Sequence, residues 1–196
     1  ILPHLALLMM SFTRKWYGTL LPESWTLLHY KTALSSQLVV PSILNSLSYS
    51  TIAMIFSLFI GIIIALLTVR MKIKGGKLLD TMAMLPLAVP GLVLAFGYLS
   101  MTAKWDFMRY FLDPIRNPTI LLAAAYAMRR LPYTVRAISS GLEQTPEDLE
   151  EAAANFGAGP LRRLLKITLP LISANLVVGA LFAFSFSMLE VSDSLL

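Results

Sequence analysis

The sequence has no cysteine, only two histidines and 11 acidic residues in 196. Without cysteine there is no disulfide framework and no thiolate chemistry. His4 and His29 stand alone and far apart. With no second ligand of metal type nearby, neither reads as a metal site. Charge is scarce too. Charged residues make up 14% and hydrophobic ones 57%, against about 25% and 45–50% in an ordinary soluble domain. The net charge of +5 is spread over short loops. Nucleic-acid binding needs a basic stripe or patch, so it is excluded. A phosphate-binding P-loop is missing as well. It needs G-x-x-x-x-G-K followed by Ser or Thr. The nearest candidate, Gly75-Gly76-Lys77, lacks the upstream glycine and is followed by Leu78. Nothing here points to catalytic residues, a resident cofactor or a metal, so the chain is not read as an enzyme.

What is there is apolar and clustered. Five hydrophobic segments stand out: A, residues 1–12; B, about 42–69; C, about 78–100; D, about 119–137; and E, from about 170 to the end. At a rise of about 1.5 Å per residue, B to E can each cross a hydrocarbon core of about 30 Å. The expected fold is all-α, a polytopic transmembrane bundle forming one domain over residues 1–196. The chain opens on an apolar run with neither a Met nor a basic segment before it, and stops within another at Leu196. It is therefore expected to be a piece of a longer polypeptide, truncated at both ends. The ten methionines are scattered through apolar runs and read as packing.

Orientation follows from basic residues in short loops. The B–C loop carries Arg70, Lys72, Lys74 and Lys77; the D–E region carries Arg129, Arg130, Arg136, Arg162, Arg163 and Lys166. Both are expected in the cytoplasm. The C–D loop is mixed, with Lys104, Asp106, Arg109, Asp113 and Arg116. It is expected outside with the A–B connection, where Trp16, Tyr17 and Trp25 fit an interfacial aromatic belt. Arg129 and Arg130 read as snorkelling anchors at the inner end of segment D.

Two features inside the segments bear on a path. Pro86, Pro90 and Gly91 interrupt segment C, either as a plain packing kink or as a bend beside a translocation path. Glu190 and Asp193 lie in segment E. Counting from Pro170, Glu190 is about 30 Å along a helix. That places it near the outer mouth, as an interfacial acid or as part of the path.

The D–E region is too long for a turn and reads as two short helices. Thr145 is the expected N-cap, Pro146 the first helical residue and Asp148 the capping-box acid. Leu149, Ala152, Ala153 and Phe156 then recur at i, i+3, i+4 and i+7. Gly157 suits a helix C-terminus. Gly159 and Pro160 start the next helix, in which Leu161, Leu164, Leu165 and Thr168 share a face while Arg162, Arg163 and Lys166 point away. Pro170 marks the start of segment E. Such a unit could lie on lipid, pack under its own bundle or present a knob to a partner.

Here the sequence resembles the inner-membrane permeases of binding-protein-dependent ATP-binding-cassette importers. Their cytoplasmic loop carries E-A-A, three residues, G, nine residues, I, one residue, L-P. This chain has Glu151-Ala152-Ala153, then Gly157, then Ile167, Leu169 and Pro170 at that spacing. Asn45-Ser46-Leu47 and Leu131-Pro132-Tyr133 extend the similarity along nearly the whole chain. The stretch Met84-Leu85-Pro86-Leu87-Ala88-Val89-Pro90-Gly91 looks most like the ferric-iron branch, whose relatives take up phosphonates, polyamines or thiamine.

The resemblance implies a coupling element that seats in a cleft of a separate ATPase subunit. Glu151, Ala152, Ala153, Gly157, Leu161, Ile167, Leu169 and Pro170 would form it. Glu151 would contact the ATPase or cap its own loop. Gly157 would set a corner, and Gly157→Ala costs more if φ there is positive. The implied partners are two ATPase subunits that bind ATP and Mg, a second permease domain in the same or a homologous chain, an external solute-binding protein and the bilayer of a bacterial-type inner membrane. Pro86, Pro90, Gly91 and Glu190 are candidates for the translocation path, and ferric iron is the candidate cargo. The rival reading, a secondary transporter or channel, expects ionisable residues near mid-membrane, and the middles of segments B, C and D show none.

Overall fold

The computed structural model describes residues 2–16, 18, 19, 22, 24–113 and 118–190. Tyr17, Arg116 and Asp193 lie outside the described residues. Among those described the protein is helical, with one isolated antiparallel bridge between Thr13 and Trp25. It divides into two compact units, residues 1–46 and 47–196.

In the first unit, segment A forms α1 (Leu2–Ser11). The connection after it is more folded than the sequence suggested. It contains α2 (Leu28–Leu34). The Thr26 N–H donates to the Phe12 carbonyl at 2.7 Å, and the His29 ring nitrogen Nε2 lies 2.9 Å from the Thr13 carbonyl. Ser11 meets the Tyr30 hydroxyl at 2.7 Å. His29 is thus a hydrogen-bonding residue. Trp16 donates its indole N–H to the Thr19 carbonyl, while Trp25 is exposed, as an interfacial aromatic would be.

Segment B becomes α3 (Val39–Ala65), which starts in the first unit, runs into the second and ends in a π turn, Leu66–Arg70. Among the described residues it is the one helix long and apolar enough to cross a membrane unaided. Its buried face is small: Ser50, Ala53, Ser57 and Gly61 precede Ile64 and Ala65. Small residues let helix backbones approach closely where burial from water supplies no drive.

Segment C is not one rod. It splits into α4 (Gly76–Met84), a 3-10 turn (Leu85–Leu87) and α5 (Gly91–Lys104). The two arms meet at 103°. Pro86 and Pro90 each remove a backbone donor and clash with a helical carbonyl, and α5 restarts after Pro90. A short helix, α6 (Asp106–Leu112), follows.

Segment D corresponds to α7 (Pro118–Gln144), seven residues longer at its C-terminus than expected. It is long enough to span but too polar to qualify as an apolar span. The reason is its position. Residues on most of its circumference are buried, from Leu121 to Leu142, and they include Arg130, Thr134 and Ser139. It is the central helix of the second unit, and it packs most extensively against α11 (Ser173–Met188). The buried face of α11 is again small: Gly179, Ala183 and Ser187, four residues apart.

Three contacts set the packing around α7. Thr134 and Ser57 lie 3.2 Å apart, with Thr134 also bonded to the Ser57 carbonyl at 3.1 Å. Val135 and Leu131 pack with Ile64 and Ala83. Ile138, Leu142, Ala65 and Ile172 form a second buried cluster. At the α7–α11 crossing, a Cβ on Gly141 would sit 2.8 Å from Asn175 Cγ, so only glycine admits this approach.

Candidate functional site

The site begins where α7 ends. The Thr145 hydroxyl donates back to the Gly141 carbonyl at 2.8 Å. It therefore closes α7 rather than capping the next helix, which corrects the expected N-cap. α8 (Asp148–Asn155) starts after Glu147, and no side chain caps it. Asp148, Glu150 and Glu151 crowd its first turn, where carboxylates suit the positive end of the helix dipole.

Its end is a Schellman motif. The Ala158 N–H donates to the Ala153 carbonyl at 3.0 Å, and the Gly157 N–H to the Ala154 carbonyl at 2.9 Å. Gly157 has φ +81. That left-handed conformation costs a residue with a Cβ about 1–2 kcal/mol. The corner glycine of the motif is thus required by the backbone, not by crowding, since nothing lies within 4 Å of a Cβ built there.

The second helix departs from its expected pattern. α9 (Pro160–Arg163) passes into a π turn, Leu164–Thr168, and then into α10 (Leu169–Leu171). Pro170 brings no N–H, and its ring would press on the carbonyl four residues back; widening to a π turn just before it relieves this. The extra residue rotates the faces. Leu164 and Thr168 turn inward, whereas Leu161 and Leu165 are exposed. Arg163, expected to point away, has its Nε buried. The bend towards α11 is 76° and falls at Ile172, not at Pro170. Ile172 is 1% exposed and belongs to the core cluster with Ala65, Ile138 and Leu142.

The corner exposes several large apolar side chains among its charged ones. Phe156 is 93% exposed, Leu161 66%, Leu165 53% and Leu149 50%. Ala152 is also exposed, and Ala153 partly so. Glu151 is exposed, and its carboxylate meets no partner among the described residues. The local-cap reading of Glu151 thus finds no bond to support it.

Its neighbour Glu150, not singled out from the sequence, is bonded instead. Arg70, the last residue of the π turn that ends α3, donates from Nε to Glu150 at 3.1 Å and from a terminal nitrogen to the Thr145 carbonyl at 2.9 Å. Glu147 lies 3.8 Å from the same guanidinium and accepts from Lys72 at 3.2 Å. The Arg70 side chain is 9% exposed. From the sequence, Arg70 was one of several loop cations; no spacing rule links residues 80 positions apart.

Glu190 lies just past the C-terminal end of α11 and is paired with α7. It bonds Arg129 at 2.8 Å and Arg130 as well. Arg130 also donates to the Phe186 carbonyl at 2.8 Å and lies over the Phe186 ring. These arginines are not snorkelling at a helix end. Twelve residues of α7 precede Arg130 and fourteen follow it. The reading failed because segment D was ended at residue 137, short of the real terminus. The argument that segment D lacks central ionisable residues falls with it. Pro86, Pro90 and Gly91 stay together at the α4–α5 bend, apart in sequence from the residues of the two-helix corner.

Residues 57–192 match the family described as binding-protein-dependent transport system inner membrane component. The molybdenum transport system permease protein ModB of Escherichia coli K12 is 36% identical over 154 residues, which span 76% of this chain and 67% of ModB. A putative 2-aminoethylphosphonate transport system permease protein, PhnV of Salmonella paratyphi A, is 29% identical over 196 residues, 100% of this chain and 71% of its own length. A putative ferric transport system permease protein, FbpB 1 of Haemophilus influenzae, is 33% identical over 152 residues, 78% of this chain and 23% of its own length. By this match, and by the Glu151–Pro170 pattern that it contains, the chain belongs to the inner-membrane permease family of binding-protein-dependent ATP-binding-cassette importers.

Proposed function

We propose that this chain is a transmembrane domain of an ATP-driven uptake system, and that the corner from Glu151 to Pro170 is where a separate ATPase subunit docks. One observation carries this reading. Phe156 and Leu161 stand exposed on either side of the Gly157 turn, held out by two short helices that pack on each other and on the π turn after them. An aromatic anchor with apolar neighbours is what a partner's cleft accepts. The basic loops support a cytoplasmic position for it. ATP and Mg would bind in the partner, since the sequence has no P-loop. A second permease domain and an external binding protein complete the assembly implied by the family. Pro86, Pro90, Gly91 and Glu190 are proposed to border the path.

For the cargo, the ferric-iron expectation is joined by relatives named for molybdenum and for 2-aminoethylphosphonate at comparable identity. These names support a small ion delivered by the binding protein, not one member of that set. The ligand of the cognate binding protein, identified by mass spectrometry, selects among them.

The docking reading is tested by purifying the complete transporter in detergent. An ATPase subunit is expected to co-purify with the wild type and to be lost from Gly157→Pro. A wild-type complex that never retains an ATPase, together with normal uptake by Gly157→Pro, sinks it.

A further inference from the structure

The two-helix corner is held to the rest of the unit at both of its ends. At the far end Ile172 is buried among Ala65, Ile138 and Leu142. At the near end the fastening is polar, and Arg70 makes it. We propose that Arg70 is a positioning residue for energy coupling: it carries movement of the docked helix α8 into the membrane helix α3. This rests on the docking reading above.

Four observations support the assignment. First, Arg70 is the last residue of the long α3 segment, so a force on its guanidinium acts on the end of that helix. The π turn before it is stabilised locally: the Met71 N–H donates to the Leu66 carbonyl at 2.9 Å, and the Thr68 hydroxyl to the Ile64 carbonyl at 2.8 Å. A single wide turn of this kind is a recurrent device for re-aiming a side chain.

Second, Arg70 grips the corner at separate points of its entrance. It takes the Thr145 carbonyl, one residue past α7, and the Glu150 carboxylate in the first turn of α8. A guanidinium can do this because its donors are held in a rigid plane; a lysine is a point charge on a flexible stem. The linking residues Pro146 and Glu147 cannot simply flex, because α8 is pinned across them.

Third, the grip is shielded. The side chain of Arg70 is 9% exposed and that of Glu150 19%. Charge-assisted bonds out of water hold geometry better than surface pairs do. The outer pair, Lys72 with Glu147, is more exposed and is a rim to the inner one.

Fourth, the chain turns abruptly after Arg70. Lys72 has φ +45, in the left-handed region, and Gly75 has φ +93. A strained non-glycine residue persists only where the surroundings hold it. Here the turn keeps Lys72 beside Glu147 and Arg70 beside Glu150.

The test uses the complete transporter, with its ATPase and binding protein, in proteoliposomes. The readout is solute taken up per ATP hydrolysed, which a merely structural contact would leave unchanged. Arg70→Gln is expected to keep its ATPase and to lower this ratio about tenfold. Glu150→Gln is expected to lower it less, since the Thr145 bond remains. The exchange Arg70→Glu with Glu150→Arg is expected to recover part of the loss. If Arg70→Gln does not assemble, Arg70→Lys is expected to do so and to show a lowered ratio. A ratio within about twofold of the wild type in the assembled variant overturns the proposal, as does an exchange that recovers nothing. Absence of the ATPase from the wild-type complex would overturn the docking reading, and this inference with it.

Discussion

Gly141 on α7 faces Asn175 on α11 so closely that an added Cβ would lie 2.8 Å from Asn175 Cγ and 2.9 Å from its Cβ. Neither neighbour atom is the loose end of a long side chain. Gly141→Ala should therefore separate the two helices and cost about 1–3 kcal/mol, as overpacking does. Gly97, in α5, has nothing within 4 Å of the same position. Gly97→Ala should be neutral or stabilising by up to about 1 kcal/mol. Thermal unfolding in detergent reads both, and equal melting temperatures would show that the close approach is not limiting.

Gly157 and Gly159 make a second contrast. Gly157 needs φ +81, whereas Gly159 has φ −65 and ψ 162, which any residue adopts. Both have open space at Cβ. Gly157→Ala is expected to strain the corner by about 1–2 kcal/mol, with reduced ATPase retention. Gly159→Ala should retain the ATPase as the wild type does. Co-purification yield at matched expression measures the difference.

Phe156 supports nothing within the described residues, being 93% exposed. Phe156→Ala should leave the melting temperature of the isolated permease within a degree or so, since surface changes stay within about 0.5 kcal/mol. Affinity for the ATPase subunit should fall by about 2 kcal/mol, the loss expected of an aromatic hot spot. Titration of the reconstituted permease with the ATPase reports this. Unchanged affinity would show that Phe156 serves a surface other than the ATPase's.

Glu190 is 6% exposed at its side chain and bonds both Arg129 and Arg130. Glu190→Gln leaves a buried cation, Arg130, and a partly buried one, Arg129, without that carboxylate. Breaking a buried pair by removing one partner costs about 3–5 kcal/mol, so a marked drop in melting temperature is expected. Glu190→Asp keeps the charge and should lose less. A stable, active Glu190→Gln protein would point to a path role rather than a fastening between α7 and α11.

How much of this was legible in advance differs by feature. The Glu151–Pro170 pattern, the Gly157 corner and the break at Pro86–Gly91 are local consequences of residue type. A left-handed glycine and a proline without a donor act on their own neighbours, so a sequence displays them. The α8 cap was misread because Thr145 had two local partners in reach, and the carbonyl behind it in α7 prevailed. The face of the second helix was misread because a π turn, Leu164–Thr168, interrupts the regular helical spacing on which that reading relied.

By itself, then, the sequence determined an apolar helical membrane chain, the position of the two-helix corner and the absence of a P-loop. Composition, periodicity and backbone chemistry act over a few residues and need no partner to be read. Only the tertiary structure decided that α7 is a buried central helix, that Arg129 and Arg130 meet Glu190, and that Arg70 holds Thr145 and Glu150. Those pairings join residues 60 to 80 positions apart. They exist because small residues on α3 and α11 let both helices close on α7, and that closure is a property of the packed bundle.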